Sequence, residues 1–269
     1  MQRRHFLASS IAASTLAAGA SVLGNATGSD AAGESGREYY ELRQYRLRSG
    51  PQARLTGNFL RNALLPALGR LGIGPVGVFN QLIGPENPSI YVLMPSSSLK
   101  TLVTVEASLA QDSAYQEAGK AFLSAPAESP AFVRMESKLM IAFEGRPRLT
   151  LPPQTAGRSP RVFELRTYES PSDRDHIRKV EMFHHGEFDI FRAAGFYPVF
   201  YGDTLIGARM PNLTYMLAFD SLDERNRLWD AFQNAPAWKK LTGSPRYNYE
   251  SIVTNVTNLI VGPTPYSEI

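Results

Sequence analysis

The chain has 269 residues, of which 43% are hydrophobic, and its formal net charge at pH 7 is +3. A chain of this length and composition can bury a sizeable core and form one or two domains. Cysteine is absent, which excludes disulfide bonds, thiolate metal sites and a cysteine nucleophile. No basic patch with interleaved aromatic residues stands out, so nucleic acid is not expected as a partner.

Residues 1–32 predict a signal peptide and a flexible lead-in. Arg3 and Arg4 precede a Phe-Leu pair and a weakly apolar run rich in Ala and Ser, as in signal peptides. The arginine pair is similar to the twin-arginine export signal of bacteria; an ordinary secretory signal is the alternative. We expect an exported protein, periplasmic or extracellular. The run is too polar for stable membrane insertion, and no other apolar run is long enough.

The rest of the chain contains an internal repeat. YELRQY at 40–45 matches FELRTY at 163–168, an offset of 163 − 40 = 123 residues. Thirteen identities follow this offset without a gap between 41 and 99, which indicates two copies of one structural unit. We place the first unit at 38–145, a Pro- and Gly-rich linker at 146–160, and the second unit at 161–262.

The second copy predicts the elements in the order β-α-β-β-α-β. A strand at 161–169 is followed by a helix at 173–194, which a glycine ends. Two strands, FYPVFYGDTLIG and LTYMLAF, lead to a helix that opens with a capping box of Ser221 and Glu224. The alternating segment YNYESIVTNVTNLIV closes the unit as a strand. The first copy has the same pattern, and Pro66 should kink or break its first helix.

This order is typical of a ferredoxin-like unit, whose antiparallel sheet carries helices on one face. The simplest cover for the other face is the second unit, so we predict an α+β fold of two ferredoxin-like units packed sheet to sheet. Alternate residues of a strand share a face. The apolar residues of the repeated strands should then face the helices, and the polar ones should meet at the seam between the halves. A catalytic Glu/Arg pair is the alternative. The predicted seam residues are Glu41, Arg43, Tyr45, Glu164, Arg166 and Tyr168.

The motifs of the second copy resemble the NIPSNAP family. They are FELRTYESPSDRDH, AAGFYPVFYG and TYMLAFDSLDERNRLWDAFQNAPAWKK. The first copy departs from them, with Ser97 where the second has Asp220 and Tyr115 where the second has Trp238. The resemblance, over 38–262, implies a dimeric α/β barrel closed within one chain, and it implies no particular reaction. Relatives of this fold include cofactor-free monooxygenases, haem-handling enzymes and isomerases, but a shared fold does not transfer a reaction.

The polar cluster FHHGEFD at 183–189 contains the candidate site residues. On a helical wheel of 100° per residue, His184 and Glu187 fall inside the apolar arc, whereas His185 and Asp189 fall outside it. A histidine and a carboxylate facing the sheet can satisfy each other in the core, line a ligand pocket, or act as an acid–base couple. We expect the first of these most. No third ligand accompanies the pair, so no metal site is predicted.

These observations favour an exported protein of the NIPSNAP type that binds a small, partly apolar ligand or mediates assembly. The alternative is a cofactor-independent monooxygenase or isomerase that uses His184 as base. Arg61 matches His184 in the first copy and marks a candidate second cavity. No cofactor is predicted, haem is a weaker option, and a homo-oligomer is left open. Core packing is the expected role of the abundant aromatic residues of the second half, Tyr197, Tyr201, Trp229, Trp238, Tyr247 and Tyr249.

Overall fold

The computed structural model describes residues 36–48 and 50–269, so the predicted signal peptide lies outside the described residues. Eight antiparallel strands form a closed barrel in the order β1-β3-β2-β8-β5-β7-β6-β4, with β4 paired to β1. The strands are β1 (Tyr39–Arg46), β2 (Gly77–Ile83), β3 (Ser89–Ser96), β4 (Arg134–Ala142), β5 (Val162–Glu169), β6 (Tyr197–Ile206), β7 (Asn212–Phe219) and β8 (Asn255–Pro263).

Helices pack on the outside of the barrel. They are α1 (Pro51–Phe59), α2 (Leu65–Arg70), α3 (Leu99–Val103), α4 (Val105–Ala110), α5 (Ser113–Leu123), α6 (Pro153–Gly157), α7 (Asp173–Met182), α8 (Phe188–Ala194), α9 (Leu222–Asn234), α10 (Pro236–Thr242) and α11 (Tyr249–Ile252). A π-helical turn at Leu60–Leu64 joins α1 to α2, and another at Phe183–Glu187 joins α7 to α8. No helix of the described segments is long and apolar enough to cross a membrane.

The local signals in the sequence explain where several helices begin. The N–H of Glu224 donates to Oγ of Ser221 at 3.1 Å, and Oε2 of Glu224 accepts from the N–H of Asp220 at 2.7 Å. The predicted cap by Ser221 at the start of α9 is therefore confirmed, whereas Glu224 reaches back to the residue before the cap and not to Ser221 itself. Pro66 lies in the first turn of α2, directly after the first π-helical turn. Its missing N–H is harmless there, because the helix is already irregular at that point.

The two halves of the chain join edge to edge. Each half supplies four neighbouring strands, β2-β3-β1-β4 and β6-β7-β5-β8. Strand β2 pairs with β8, and β4 pairs with β6, both antiparallel. Backbone hydrogen bonds thus close a single barrel, and the inner faces of the two halves oppose each other across its interior.

Aromatic rings fill one end of the barrel interior. The ring centroids of Tyr40 and Phe200 lie 5.1 Å apart, and those of Phe79 and Phe163 lie 5.0 Å apart. The fully buried Ile269 belongs to the same cluster. This packing closes one end of the barrel, whereas polar side chains line the other.

The repeated strands β1 and β5 present the opposite faces from those predicted. Leu42 and Leu165 lie inside the barrel, whereas Tyr45 and Tyr168 belong to two separate outer cores beneath the helices. The strands of a closed barrel shield its interior from water except at an open end, so the apolar residues of both halves pack inside it.

The predicted seam between the halves is therefore wrong. Arg43 pairs with Glu106 of α4 at 2.7 Å, and Glu164 accepts a hydrogen bond from Nε1 of Trp229 of α9 at 2.6 Å. The polar residues find partners on the helices of their own half because the two strands lie on different sides of the barrel. The residues placed beneath the helices are Glu41, Arg43, Tyr45, Glu164, Arg166 and Tyr168.

Candidate functional site

The structure separates the two residues of the predicted site, His184 and Glu187. Both lie in the second π-helical turn, where His185 (φ −99°, ψ 25°) and Gly186 (φ 144°, ψ −28°) leave helical geometry. A wheel of 100° per residue fails there, because a π-helical turn inserts an extra residue. His184 is exposed, whereas Glu187 is 1% exposed. The predicted contact between them is wrong, and so is the inward orientation of His184.

His184 anchors the segment that follows β4. Its Nδ1 donates to the carbonyl oxygen of Val180 at 2.9 Å, and its Nε2 accepts from the N–H of Gly145 at 3.1 Å. Both ring nitrogens are thus occupied, which leaves no lone pair for a general base. His185 and Asp189 are exposed, as predicted. Arg61 is exposed on the first π-helical turn, and neither of the cavities described below includes it.

The partner of Glu187 is Lys179. Nζ of Lys179 donates to Oε2 of Glu187 at 2.6 Å, and the two side chains are 0% and 1% exposed. In a regular helix, two side chains separated by eight residues point in directions that differ by about 80°. One inserted residue reduces the effective spacing to seven, for which the angle is about 20°. The π-helical turn therefore brings the two charges to one face. Burial raises the pKa of Glu187, while Lys179 and Arg166 oppose that rise.

Lys179 sits among aromatic rings. Its Nζ lies 4.5 Å from the ring centroid of Phe183, 5.1 Å from that of Tyr168 and 5.4 Å from that of Tyr249. Such rings present their negative faces to a cation. Together with Glu187 they compensate a lysine that has lost all contact with water.

A cavity of 510 Å³ lies outside β5, beneath α9, α10 and α11. Its volume falls in the range of small-molecule sites. Both tryptophans of the chain contribute to its wall. We call it the aromatic cavity and define it by Arg166, Tyr168, Trp229, Phe232, Trp238 and Tyr249.

The guanidinium of Arg166 is the charged group of the aromatic cavity. Its Nε donates to the hydroxyl oxygen of Tyr168 at 3.2 Å, and its Nη1 donates to Oε1 of Glu164 at 2.9 Å. It also lies 4.3 Å from the ring centroid of Trp229. No described residue accepts a hydrogen bond from Nη2 of Arg166. The side chain is only 12% exposed, and Nη2 is not among its fully buried atoms, so this donor is held in place and remains accessible from the cavity.

Glu164 holds the arginine in place and is shared with a second cation. Its Oε1 also pairs with Arg225 of α9, and its Oε2 accepts from Nε1 of Trp229 at 2.6 Å. One fully buried carboxylate therefore faces two guanidinium groups. Glu250 also lines the cavity, so the charges around it balance. The donor Nη2 of Arg166, which has no partner among the described residues, favours a ligand with a negatively charged or strongly hydrogen-bonding oxygen.

The corresponding place in the first half is filled. Arg43 pairs with two carboxylates, Glu41 at 2.6 Å and Glu106 at 2.7 Å, and is itself only 4% exposed. Glu106 stands at the position that matches Trp229 (229 − 123 = 106). The ion pair between Lys179 and Glu187 is also specific to the second half. The matching residues of the first half are Thr56 and Leu64. Both of these residues are fully buried.

Core packing was the expected role of the aromatic residues of the second half. Tyr201, Trp229 and Tyr247 do pack in the core, and Trp238 and Tyr249 pack against it. Trp229, Trp238 and Tyr249 also line the aromatic cavity. The repeat contained a signal for a difference between the halves at this place, because the matching residues Glu106 and Trp229 differ strongly in size and charge. Within the described residues, no group of three or more His, Asp or Glu side chains is placed to hold a metal ion.

Solved structures with the same architecture cover most of the chain. A monooxygenase-like protein of Lactobacillus acidophilus is 8% identical, with a TM-score of 0.53 over 84% of this chain and 94% of its own. Another from Fusobacterium nucleatum is 5% identical, with a TM-score of 0.54 over 84% of this chain and 92% of its own. At these identities the likeness shows the fold alone, which is a dimeric α/β barrel here closed within one chain.

Single-domain relatives match one half. A NIPSNAP-like domain protein of Burkholderia xenovorans is 20% identical, with a TM-score of 0.36 over 40% of this chain and 88% of its own. No curated protein matches the sequence. The sequence profile of the NIPSNAP family matches twice, at residues 40–145 and 163–268, which confirms the internal repeat. With a copy of the family's domain in each half, this chain belongs to the NIPSNAP family.

Proposed function

We propose that the protein binds a small, flat, partly apolar molecule in the aromatic cavity, with an oxygen of the ligand on Nη2 of Arg166. The observation that carries this proposal is the contrast between the halves. Arg43 of the first half is buried and pairs with two carboxylates, whereas Arg166 of the second half pairs with one carboxylate and borders a cavity of 510 Å³.

The walls favour a planar ligand. Trp229 is held by its hydrogen bond to Glu164, and the ring of Trp238 lies 4.6 Å from that of Phe232 and 6.2 Å from that of Tyr249. Fixed aromatic rings offer offset-stacked and edge-to-face contacts to another ring. A carboxylate or phenolate on the ligand would complete the shell of Arg166 with a charge-assisted hydrogen bond.

Catalysis on the same ligand is the second candidate, as a cofactor-independent monooxygenase or isomerase. Structural neighbours of the whole barrel include proteins described as monooxygenase-like. This observation is the reason for proposing catalysis as a second candidate. Both ring nitrogens of His184 are engaged in this structure, so we do not assign it the role of base. Consumption of dioxygen with a bound ligand would indicate a monooxygenase, and conversion of the ligand without dioxygen would indicate an isomerase.

Two further features belong to this proposal. We infer that each half is a ferredoxin-like unit, which is supported by the strand orders β4-β1-β3-β2 and β8-β5-β7-β6. We also infer that the mature protein acts outside the cytoplasm after twin-arginine export, which is supported by Arg3 and Arg4 ahead of the Ala-rich run.

Tryptophan fluorescence tests the proposed site directly, because both tryptophans of the chain line it. We expect 4-nitrobenzoate, a flat carboxylate that quenches indole, to quench the emission saturably. Arg166→Met should weaken this binding at least tenfold, because it removes the guanidinium. Lys240→Met, at an exposed lysine of α10, is the charge-matched control and should bind as the parent does.

A second variant tests the same cavity independently, in case Arg166→Met does not fold. Thr242→Phe fills the cavity from α10 and leaves the Glu164 network intact, so it should abolish saturable quenching while circular dichroism stays unchanged. Quenching that is linear in 4-nitrobenzoate, or that persists unchanged in both variants, would contradict the proposal.

A further inference from the structure

The barrel interior contains a second cavity, separate from the aromatic cavity. It has a volume of 370 Å³ and opens at the end opposite the aromatic packing. Alternate residues of β5 divide the two spaces: Leu165 and Thr167 face this one, and Arg166 and Tyr168 face the aromatic cavity. We call it the barrel mouth and define it by Leu42, Tyr91, Lys138, Leu165, Thr167 and Leu259.

Lys138 is the cation of the barrel mouth, and no carboxylate balances it. Its Nζ donates to Oγ1 of Thr214 at 3.0 Å, and that oxygen lies 2.8 Å from Oγ1 of Thr167. No described carboxylate lies within ion-pair distance of its Nζ. The side chain is half-buried, so water compensates the charge only in part.

The other charges around the barrel mouth are paired among themselves. Arg46 pairs with Glu86 at 3.1 Å, Arg134 with Glu136 at 3.4 Å, and Arg209 with Glu169 at 3.4 Å. Of these residues, Glu86, Glu136 and Arg209 line the cavity beside Lys138. Each of the three has an ion-pair partner, so Lys138 is the charged residue of the described lining without one. Tyr91 stays neutral at ordinary pH, since burial raises its pKa.

Packing does not explain a lysine at this position. Lys138 pairs with Leu42 of β1, and the residue that pairs with the matching Leu165 of β5 is Leu259, which is buried in the same interior. An apolar residue therefore suits the barrel wall. Burial lowers the pKa of Lys138 to about 8, and Arg209 adds to this effect while Glu169 opposes it. The protein carries an unfavourable charge where its own repeat shows a neutral alternative.

We propose that the barrel mouth is a second binding site, which takes a small carboxylate with an unbranched apolar chain. The carboxylate lies on Nζ of Lys138, where it supplies the missing counter-charge. The chain lies on Leu42, Leu165 and Leu259, which form the apolar wall of the cavity. The site is independent of the aromatic cavity and of the function proposed for it.

Calorimetric titration of the full mature chain with octanoate at pH 7 tests this site, with octanol as the uncharged probe of the same length. We expect octanoate to bind at least tenfold more tightly than octanol. Lys138→Met should lose that preference, and Lys138→Arg should keep it. Because octanoate is ionised throughout, its affinity should fall as the pH rises through about 8, where Lys138 loses its proton.

Tryptophan emission locates the bound octanoate. Both tryptophans line the aromatic cavity, so binding at the barrel mouth should leave emission unchanged and should persist in Arg166→Met. Four results would overturn the proposal: no heat of binding, equal affinity for octanol, full affinity in Lys138→Met, or octanoate binding that quenches tryptophan and is lost in Arg166→Met. Lys138→Gln replaces Lys138→Met if thermal melting shows that the latter is unfolded.

Discussion

Nζ of Lys179 and Oε2 of Glu187 lie 2.6 Å apart, although the residues are eight positions apart on one irregular helix. The ion pair connects α7 to the end of the second π-helical turn. Aromatic rings of the aromatic cavity surround the lysine of the pair. Because neither side chain has access to water, each charge depends on the other. The pair is therefore where the second half should be most sensitive to substitution.

Removing one partner of this ion pair should be far more damaging than removing both. Lys179→Met leaves the carboxylate of Glu187 buried and unpaired, and we expect it to lower the free energy of unfolding by about 3–5 kcal/mol. Lys179→Met combined with Glu187→Leu should recover most of the loss, since leucine is the residue of the first half at the second position. Urea denaturation of the single and double variants measures the loss of stability and its recovery. A double variant no more stable than the single one would contradict this account.

Gly186 should resist substitution because of its backbone. Its φ of 144° is a conformation that residues with a side chain rarely adopt, while the space around it is open to a methyl group. Gly186→Ala should therefore destabilise the protein by about 1–3 kcal/mol through strain alone. Gly69→Ala, in the exposed helix α2 with nothing near the new methyl, should be neutral or slightly stabilising. Thermal melting of the two variants tests the difference, and equal melting temperatures would refute it.

Lys138→Met should stabilise the protein in a pH-dependent way. The pKa of Lys138 is lowered from 10.5 to about 8 on folding, so between these values the unfolded chain binds more protons and the stability of the parent rises with pH. At pH 7 the charge opposes folding, and the variant should gain roughly 2 kcal/mol, a value reduced for partial exposure. The gain should shrink as the pH rises through 8 towards 10.5. Denaturation at pH 7 and pH 10 measures it, and a gain that does not depend on pH would contradict the assignment.

Export should depend on the paired arginines. Changing both Arg3 and Arg4 to lysine keeps the charge of the segment but removes the guanidinium groups that the twin-arginine pattern requires. The precursor should then accumulate inside a bacterial host, whereas the parent is processed to a mature N-terminus between residues 21 and 33. Fractionation and N-terminal sequencing give the answer. Unchanged export would show that the pair stands there by chance.

The barrel could be predicted from the repeat, but the direction of its faces could not. Period-two alternation in β1 and β5 correctly separated Leu165 from Arg166. Both sides of these strands are covered, one by the barrel interior and one by helices, so hydrophobicity does not decide which set points inward. The partners on α4 and α9 decide it, and contacts such as that between Arg43 and Glu106 are not visible in the sequence of a single strand.

The site was misplaced for a different physical reason. A wheel assumes a constant 100° per residue, and the π-helical turn breaks that assumption between His184 and Glu187. The buried face of α7 also carries the polar residues His176 and Lys179. Their polarity made this face look exposed in the sequence. His176 has Asp203 as its partner at 2.7 Å, and such long-range compensation is settled only in the folded chain.

Closure of the barrel within one chain sets how the two halves depend on each other. Strands β2 and β8, and strands β4 and β6, pair within the same molecule, so dilution cannot separate them and the melting temperature should not vary with protein concentration. In a barrel made from two identical subunits, any new charge appears twice, on both sides of the axis. Here Lys138 faces the interior from one half while Leu259 takes the matching place in the other. A single charge can therefore be present on one side of the axis only.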